Sequence, residues 1–145
     1  MSISTVDDAA IAVVRRNTEE VQGDWRVFEE LFADDFVDHT PQPGTTPDKD
    51  GVRVLYKRLR AAFPDFRPEI HWQAAAGDLV TTYKTYHGTH QGEFLGIPAT
   101  GKTVTFYTVD AMRVVDGKII EHWGVATLLD LMQQLGVVLP LGRQR

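Results

Sequence analysis

At Phe66 the apolar residues of this chain change their spacing, and that switch restricts the folds open to it. Before it, Ala10, Val14, Asn17 and Val21 recur at three- and four-residue intervals, then Trp25, Phe28 and Phe32, then Val52, Leu55, Leu59 and Phe63. Such intervals line one face of a helix. After it, Phe66, Pro68, Ile70, Trp72 and Ala74 alternate with Arg67, Glu69, His71 and Gln73, the period of a half-buried strand. His71 alternates outward. Three helices, a mostly antiparallel sheet and a closing helix make an α+β fold, a curved sheet closed by helices at one side. The 145 residues have the length of one domain, 1–145, with an ordered core of about 5–136. A domain of this size hides roughly 70% of its unfolded surface.

Turn and cap residues set the boundaries. Thr5 and Asp8 resemble a capping box, and Gly23 stops the first helix. Asp24 caps the second. Ala33-Asp34-Asp35 reads as a turn before a short strand, Phe36 to His39. Pro41, Pro43, Gly44 and Pro47 mark a loop, and Asp50 caps the third helix. Ala76-Gly77-Asp78 leads into a strand from about Leu79 to His90, and Gln91 to Gly101 is a glycine-punctuated loop. Lys102 to Val114 is a long strand, Asp116-Gly117 a hairpin turn, and Lys118 to Ala126 the return. The closing helix runs from Thr127 to Leu135, with Gly136 as its C-cap. Gly142-Arg143-Gln144-Arg145 reads as a frayed tail.

Composition narrows the chemistry. With no cysteine there is no disulfide scaffold, thiol nucleophile or cysteine-bound zinc. Fifteen basic against twenty acidic residues give a net charge of −5, without the basic footprint of a nucleic-acid or anionic-membrane binder. The N-terminus lacks the basic and apolar regions of a secretory signal, and no stretch is apolar enough to span a bilayer, so a cytoplasmic protein is expected. The only serines, Ser2 and Ser4, lie at the terminus, away from any triad. No histidine pair has chelating helical spacing, so no metal is expected, and the glycines of the 91–101 loop precede no strand-to-helix junction that would cradle phosphate. No cofactor is expected.

The register of the last hairpin decides which residues share a face. A two-residue loop, Asp116-Gly117, pairs Asp110 with Trp123 and puts Glu121 on their face. A three-residue loop, Val115-Asp116-Gly117, pairs Asp110 with His122. It collects Phe106, Thr108, Asp110, Met112, Ile120, His122, Gly124 and Ala126 on one side, and Tyr107, Val109, Ala111, Arg113, Ile119, Glu121, Trp123 and Val125 on the other. The first set has an apolar floor, two small residues and two titratable groups, the make-up of a ligand cavity. The three-residue loop is preferred, because a type I′ turn would place Asp116 at positive φ.

Several runs then carry a resemblance. Gly88-Thr89-His90-Gln91-Gly92-Glu93-Phe94-Leu95-Gly96-Ile97-Pro98-Ala99-Thr100-Gly101-Lys102 resembles the SnoaL-like polyketide cyclase family. So do Asp116-Gly117-Lys118-Ile119-Ile120-Glu121-His122-Trp123, Gln134-Leu135-Gly136, Ala62-Phe63-Pro64-Asp65 and Asp38-His39-Thr40-Pro41. The resemblance implies a nuclear-transport-factor-2-like cone: a curved sheet, helices over it and a deep pocket, usually in a homodimer. Ketosteroid isomerases share that fold, and their Ile-Asp-x-x-Arg strand motif is similar to Val109-Asp110-Ala111-Met112-Arg113. In them this aspartate lines the oxyanion hole, which implies that Asp110 points into the pocket. Their general base comes from the neighbourhood of Thr40, one residue from His39. The anthracycline cyclases carry a histidine at the position of Asp110 and a catalytic aspartate at that of Gly124, and many relatives have an aspartate where this chain has Thr127. Both acids are absent here.

The expected catalytic residues are therefore Asp110, His122 and His39. Phe106, Thr108, Met112, Gly124, Ala126, His90, Trp25 and Phe63 are expected to line the pocket. The resemblance implies a cofactor-free enzyme that abstracts a proton next to a carbonyl and closes a ring by intramolecular aldol addition, with His122 or His39 as base and Asp110 at the enolate oxygen. Two states of the Asp110–His122 pair are open: an ion pair, or a neutral Asp110 acting as donor. A ketosteroid-isomerase-like isomerase or an epoxide-type hydrolase is an alternative. Another is a protein that binds a small molecule in the same pocket without turnover, which the absent acids favour. The expected partners are a small apolar carbonyl-bearing ligand and a second copy of the chain, packed through Tyr107, Val109, Trp123 and Val125, with neither nucleic acid nor membrane.

Overall fold

The computed structural model describes residues 5–21 and 24–137, in which four helices pack against one five-stranded sheet. In chain order these are α1 (Thr5–Glu20), α2 (Trp25–Leu31), β1 (Phe32–Asp38), α3 (Lys49–Ala62), β2 (Arg67–Ala76), β3 (Leu79–Thr89), β4 (Thr103–Val115), β5 (Lys118–Ala126) and α4 (Leu128–Gln134). The sheet order is β1-β5-β4-β3-β2, with β1 parallel to β5 and the other neighbours antiparallel. The helical stop at Gly23 and the tail from Gly142 lie outside the described residues. Among those described, no helix is long and apolar enough to cross a membrane.

The helical spacings bury the faces they predict. Ala10, Val14 and Val21 meet Phe28, Phe32 and Phe36 in one apolar cluster. Its aromatic rings stack in sequence, Phe28 on Phe32 at 4.7 Å and Phe32 edge-on to Phe36 at 5.1 Å. Each such ring contributes roughly 1.5–3 kcal/mol by leaving water. A second cluster gathers Phe63, Phe66, Phe94, Phe106 and Leu131 around the end of α3 and the start of α4. Caps fix where two helices begin. The Asp24 side chain accepts from the Arg26 backbone N–H. For α3 the cap is Asp48 rather than Asp50: its carboxylate accepts from Gly51 N at 2.9 Å and from the Thr46 hydroxyl at 2.6 Å.

Two strands depart from their expected course through bulges. Ala33-Asp34-Asp35 is strand rather than turn, because β1 starts at Phe32 and its register on β5 shifts between Phe32 and Val37. In β2 the register shifts between Ile70 and Trp72, which turns Trp72 to solvent, 50% exposed, and Gln73 inward to the buried Thr82 hydroxyl.

The last hairpin corrects the expected turn while keeping its face. The loop has two residues, with Asp116 at φ 52° and Gly117 at φ 76°, and Val115 pairs with Lys118. Aspartate tolerates the left-handed region, and Asp-Gly is a favoured pair for this turn. A bulge then leaves Ile120 without a partner: Val114 pairs with Ile119, and Arg113 with Glu121. One extra residue on β5 restores the parity that the shorter loop removed. Ile119, not Ile120, is the fully buried member. Asp110 pairs with Gly124 and Met112 with His122, so Asp110 and His122 are diagonal neighbours rather than a direct pair.

Candidate active site

Between the two apolar clusters, walled by α3, α4 and the inner face of the sheet, lies a cavity of about 110 Å³. Phe32, Phe36, Val52, Met112, Phe94, Phe106 and Leu131 supply apolar wall from both clusters, and Leu55 and Leu59 of α3 close one side. Into this lining project Asp38, Tyr56, Lys84, Tyr86, Thr108, Asp110 and His122. Strand alternation brings most of them together. Thr82, Lys84 and Tyr86 on β3 sit opposite Asp110, Thr108 and Phe106 on β4, all on one face.

Four of these groups carry charge. The Lys84 ammonium donates to Asp110 Oδ2 at 2.8 Å, and the two side chains are 2% and 8% exposed. His122 Nε2 lies 3.6 Å from the same Oδ2, and its Nδ1 donates to Asp38 Oδ1 at 2.9 Å. The Thr40 backbone N–H also donates to Asp38 Oδ1, and the Thr40 hydroxyl accepts from Gly124 N at 2.8 Å. Burial alone would raise the Asp110 carboxyl, but the Lys84 charge and the His122 contact overcome it and hold Asp110 down at about 2. Burial would likewise lower His122, yet its bonds to Asp110 and Asp38 raise it to about 9. Asp38 is also held below the ordinary carboxylate range: burial opposes this most strongly, and the hydrogen bond and charge of His122 together with the Thr40 bonds outweigh it. At neutral pH the cluster therefore holds two carboxylates and two cations. Of the two open states, the geometry favours the ion pair, because Lys84 supplies a charge that a neutral Asp110 would strand.

Two polar atoms of this wall are buried without a partner, Asp110 Oδ1 and Thr108 Oγ1. A buried acceptor left empty costs about 1–3 kcal/mol, so such an atom beside a cavity marks a place for a ligand. Among the described residues no three His, Cys, Asp or Glu groups are arranged to hold a metal ion.

The structure sorts the expected residues. Phe106, Thr108, Asp110, Met112, His122, Gly124 and Ala126 are on the cavity wall. His39, His90, Trp25 and Phe63 are not. The residue before His39, Asp38, takes the inward position at the end of β1, so His39 turns outward. There it stacks on Trp123 at 4.6 Å and its Nε2 bonds Glu121 at 2.9 Å. His90 is fully buried and ties down its own loop through Nδ1, which pairs with the Thr100 hydroxyl and backbone N–H. Trp25 packs edge-on against Phe28 under the Arg60 guanidinium. Phe63 lies in the second cluster, against Phe66 and Phe94. Thr127 uses its hydroxyl to accept from the Tyr107 backbone N–H, 2.9 Å away.

Asp38, Lys84, Tyr56 and Tyr86 are cavity residues that the sequence reading did not select. Lys84 had one available signal: it follows Val80 and Thr82 at period two, on the β3 face that meets Asp110 once the β3–β4 register is known.

A sequence profile described as SnoaL-like polyketide cyclase matches residues 12–135. Among curated proteins, the nogalonic acid methyl ester cyclase of Streptomyces nogalater is 35% identical over 60 residues, 41% of this chain and 45% of that protein. The aklanonic acid methyl ester cyclase DnrD of Streptomyces peucetius is equally identical over 60 residues, 41% of each. The matched segment thus spans less than half the length of these relatives. Among solved structures, IdmH from Streptomyces antibioticus is 33% identical, with a TM-score of 0.76 over 88% of this chain and 99% of its own. A SnoaL-like protein from Jannaschia sp. CCS1, 22% identical, shares the fold with a TM-score of 0.82 over 95% and 99% of the two chains.

Proposed function

Because the chain belongs to the SnoaL-like polyketide cyclase family, we propose that it closes a ring in a small, apolar, carbonyl-bearing molecule by intramolecular aldol addition. The observation that carries this reading is the Asp110 carboxylate: ionised, part of the cavity wall, and with Oδ1 buried and without a partner. Oδ1 takes the proton from the carbon next to a carbonyl. The resulting enolate carbon attacks a second carbonyl carbon of the same molecule, and the C–C bond forms as that carbonyl becomes an alkoxide. The His122 imidazolium, held charged by its two carboxylates, gives its Nε2 proton to the alkoxide. After the product leaves, Asp110 gives up the Oδ1 proton to solvent and His122 takes one from solvent at Nε2, which resets both groups. Atoms and charges balance, and no oxidant or cofactor enters. Asp110 thus serves as base and His122 as acid, the reverse of the assignment that ordinary histidine and carboxylic acid behaviour would suggest.

Confinement of the chain in the apolar cavity supplies proximity between the reacting carbons. Aklanonic and nogalonic acid methyl esters, the compounds named in the relatives' activities, are the first substrates to try. Product formation by liquid chromatography is expected for the wild type. Asp110→Asn should lower it more than ~100-fold, the low end for loss of a general base. Binding of such esters without turnover would favour a carrier that uses the same cavity, and full activity of Asp110→Asn would remove Asp110 as the base.

A further inference from the structure

We propose that Lys84 is a catalytic residue, whose ammonium holds the oxygen of the enolate that forms as Asp110 removes the proton. This rests on the reading of Asp110 as base. Lys84 is buried in the middle of β3, on the cavity wall, opposite Thr108. An ammonium has three N–H donors. Among the described residues its only hydrogen bond is the one to Asp110 Oδ2. The Tyr86 side chain supports the cation on one side, with its ring 5.4 Å from Nζ. Donor capacity therefore remains on Nζ, one carboxylate away from the unpartnered acceptor Oδ1. A ketone presents the complementary pair: its oxygen accepts a hydrogen bond, and the C–H two bonds away meets the base. The molecule that satisfies Asp110 Oδ1 and Nζ together is one with a carbonyl and an adjacent C–H.

The charge accounting points the same way. Before the transfer, Lys84 faces the Asp110 carboxylate. The C–H bond then breaks, its proton goes to Oδ1, and its electron pair becomes the enolate with the negative charge on oxygen. Asp110 is now neutral, and the anion has moved by the width of the carboxyl group to an oxygen that Lys84 also reaches. The cation stays next to the negative charge throughout, with no reorganisation, and in an apolar cavity a donor placed so at a developing anion is worth roughly 100- to 1,000-fold.

Deuterium incorporation from D2O at the α-carbon of α-tetralone, an apolar ketone with one enolisable carbon, isolates this step from ring closure. Mass spectrometry should show exchange with wild type and a loss of more than ~100-fold with Asp110→Asn. Lys84→Met should lose about as much, and raising the pH to about 9 should not restore it, although the lost charge lets burial raise the Asp110 carboxyl. Recovery of wild-type exchange at high pH would overturn the proposal, because Lys84 would then act only by keeping Asp110 ionised. Lys84→Gln, which keeps an N–H donor but no charge, should fall between the two and decides the matter if Lys84→Met fails to fold. Lost exchange in Asp110→Asn with full exchange in both Lys84 variants would remove Lys84 alone. Exchange that survives in Asp110→Asn, or none with wild type, would remove the base as well.

Discussion

Gly124→Ala changes one hydrogen to a methyl at the most crowded point of the site. A Cβ at this position would stand 2.9 Å from the Asp110 Cβ, 3.0 Å from His122 Nε2 and 3.1 Å from His122 Cε1. Ordinary carbon contacts begin near 3.5 Å, so the Asp110 side chain and the His122 ring must each retreat by roughly half an ångström. Asp110 is held on its other side by Lys84, which leaves the His122 ring to move. Its Nε2 already lies 3.6 Å from Asp110 Oδ2, and a further retreat takes it past ion-pair distance. The overpacking should cost about 1–3 kcal/mol in urea denaturation. His122 should titrate below about 9, because one of the two carboxylates that hold it up is lost. Ring closure should slow by at least ~10-fold, since misplacement of a reacting group by an ångström can cost ~100-fold. The assay pairs denaturation with a proton NMR titration of the histidine ring. Wild-type stability together with an unshifted His122 titration would show that the site absorbs the methyl, and would refute the close-packed account of the cluster.

In the folded wild type His122 should titrate near 9 against an ordinary value of 6.5. A raised value means stability fully present below about pH 6.5 and lost as the pH rises through about 9, a difference of about 3 kcal/mol that urea melts at the two ends should show and His122→Gln should flatten. The outer face of the sheet predicts a homodimer: Trp72, Tyr83, Val109 and Val125 form one row across four strands, and Val125 is 71% exposed. Val125→Glu should give a monomer by light scattering, and a monomeric wild type at micromolar concentration would end this expectation.

Period and punctuation carried the element order, since helical and strand spacings are local properties of the chain. What they could not carry was anything set by a bulge. Apart from Ile119, which takes the inward place expected of Ile120, the inner face of β4 and β5 is the expected one, although the turn is shorter, because the unpaired Ile120 compensated the missing loop residue. The same kind of irregularity, with nothing to compensate it, exposed Trp72. Apolar residues such as Trp25 and Phe63 were legible as buried but not as wall or interior, a distinction that depends on which neighbours stop short of them. Lys84 was the least legible. A lysine in an alternating strand reads as solvated, and only the β3–β4 register, with Asp110 across it, makes its burial affordable. Asp38 was missed by a single position, because the end of β1 and the outward turn of His39 are decided by pairing with β5.

The absent acid at position 124 has a physical counterpart in the residues that are present. The resemblance to anthracycline cyclases implies a carboxylate there. In this chain the space it would fill is taken by the approach of Asp110 and His122, and even a methyl would meet both. Electrostatics forbid it as well. Asp38 and Asp110 are balanced by Lys84 and His122, so a third buried carboxylate would have no cation. Under the proposed mechanism the base is instead Asp110, on the neighbouring strand directly opposite Gly124, where Lys84 keeps it ionised. Gly124, Asp110 and Lys84 are thus one arrangement, and changing one alone should fail. Gly124→Asp in the wild-type background should titrate as a protonated acid and destabilise the fold, whereas Gly124→Asp combined with Asp110→His, which moves the carboxylate and frees Lys84 to pair with it, should recover stability. A single Gly124→Asp variant as stable as wild type would show that the cluster tolerates the extra charge and that the three positions vary independently.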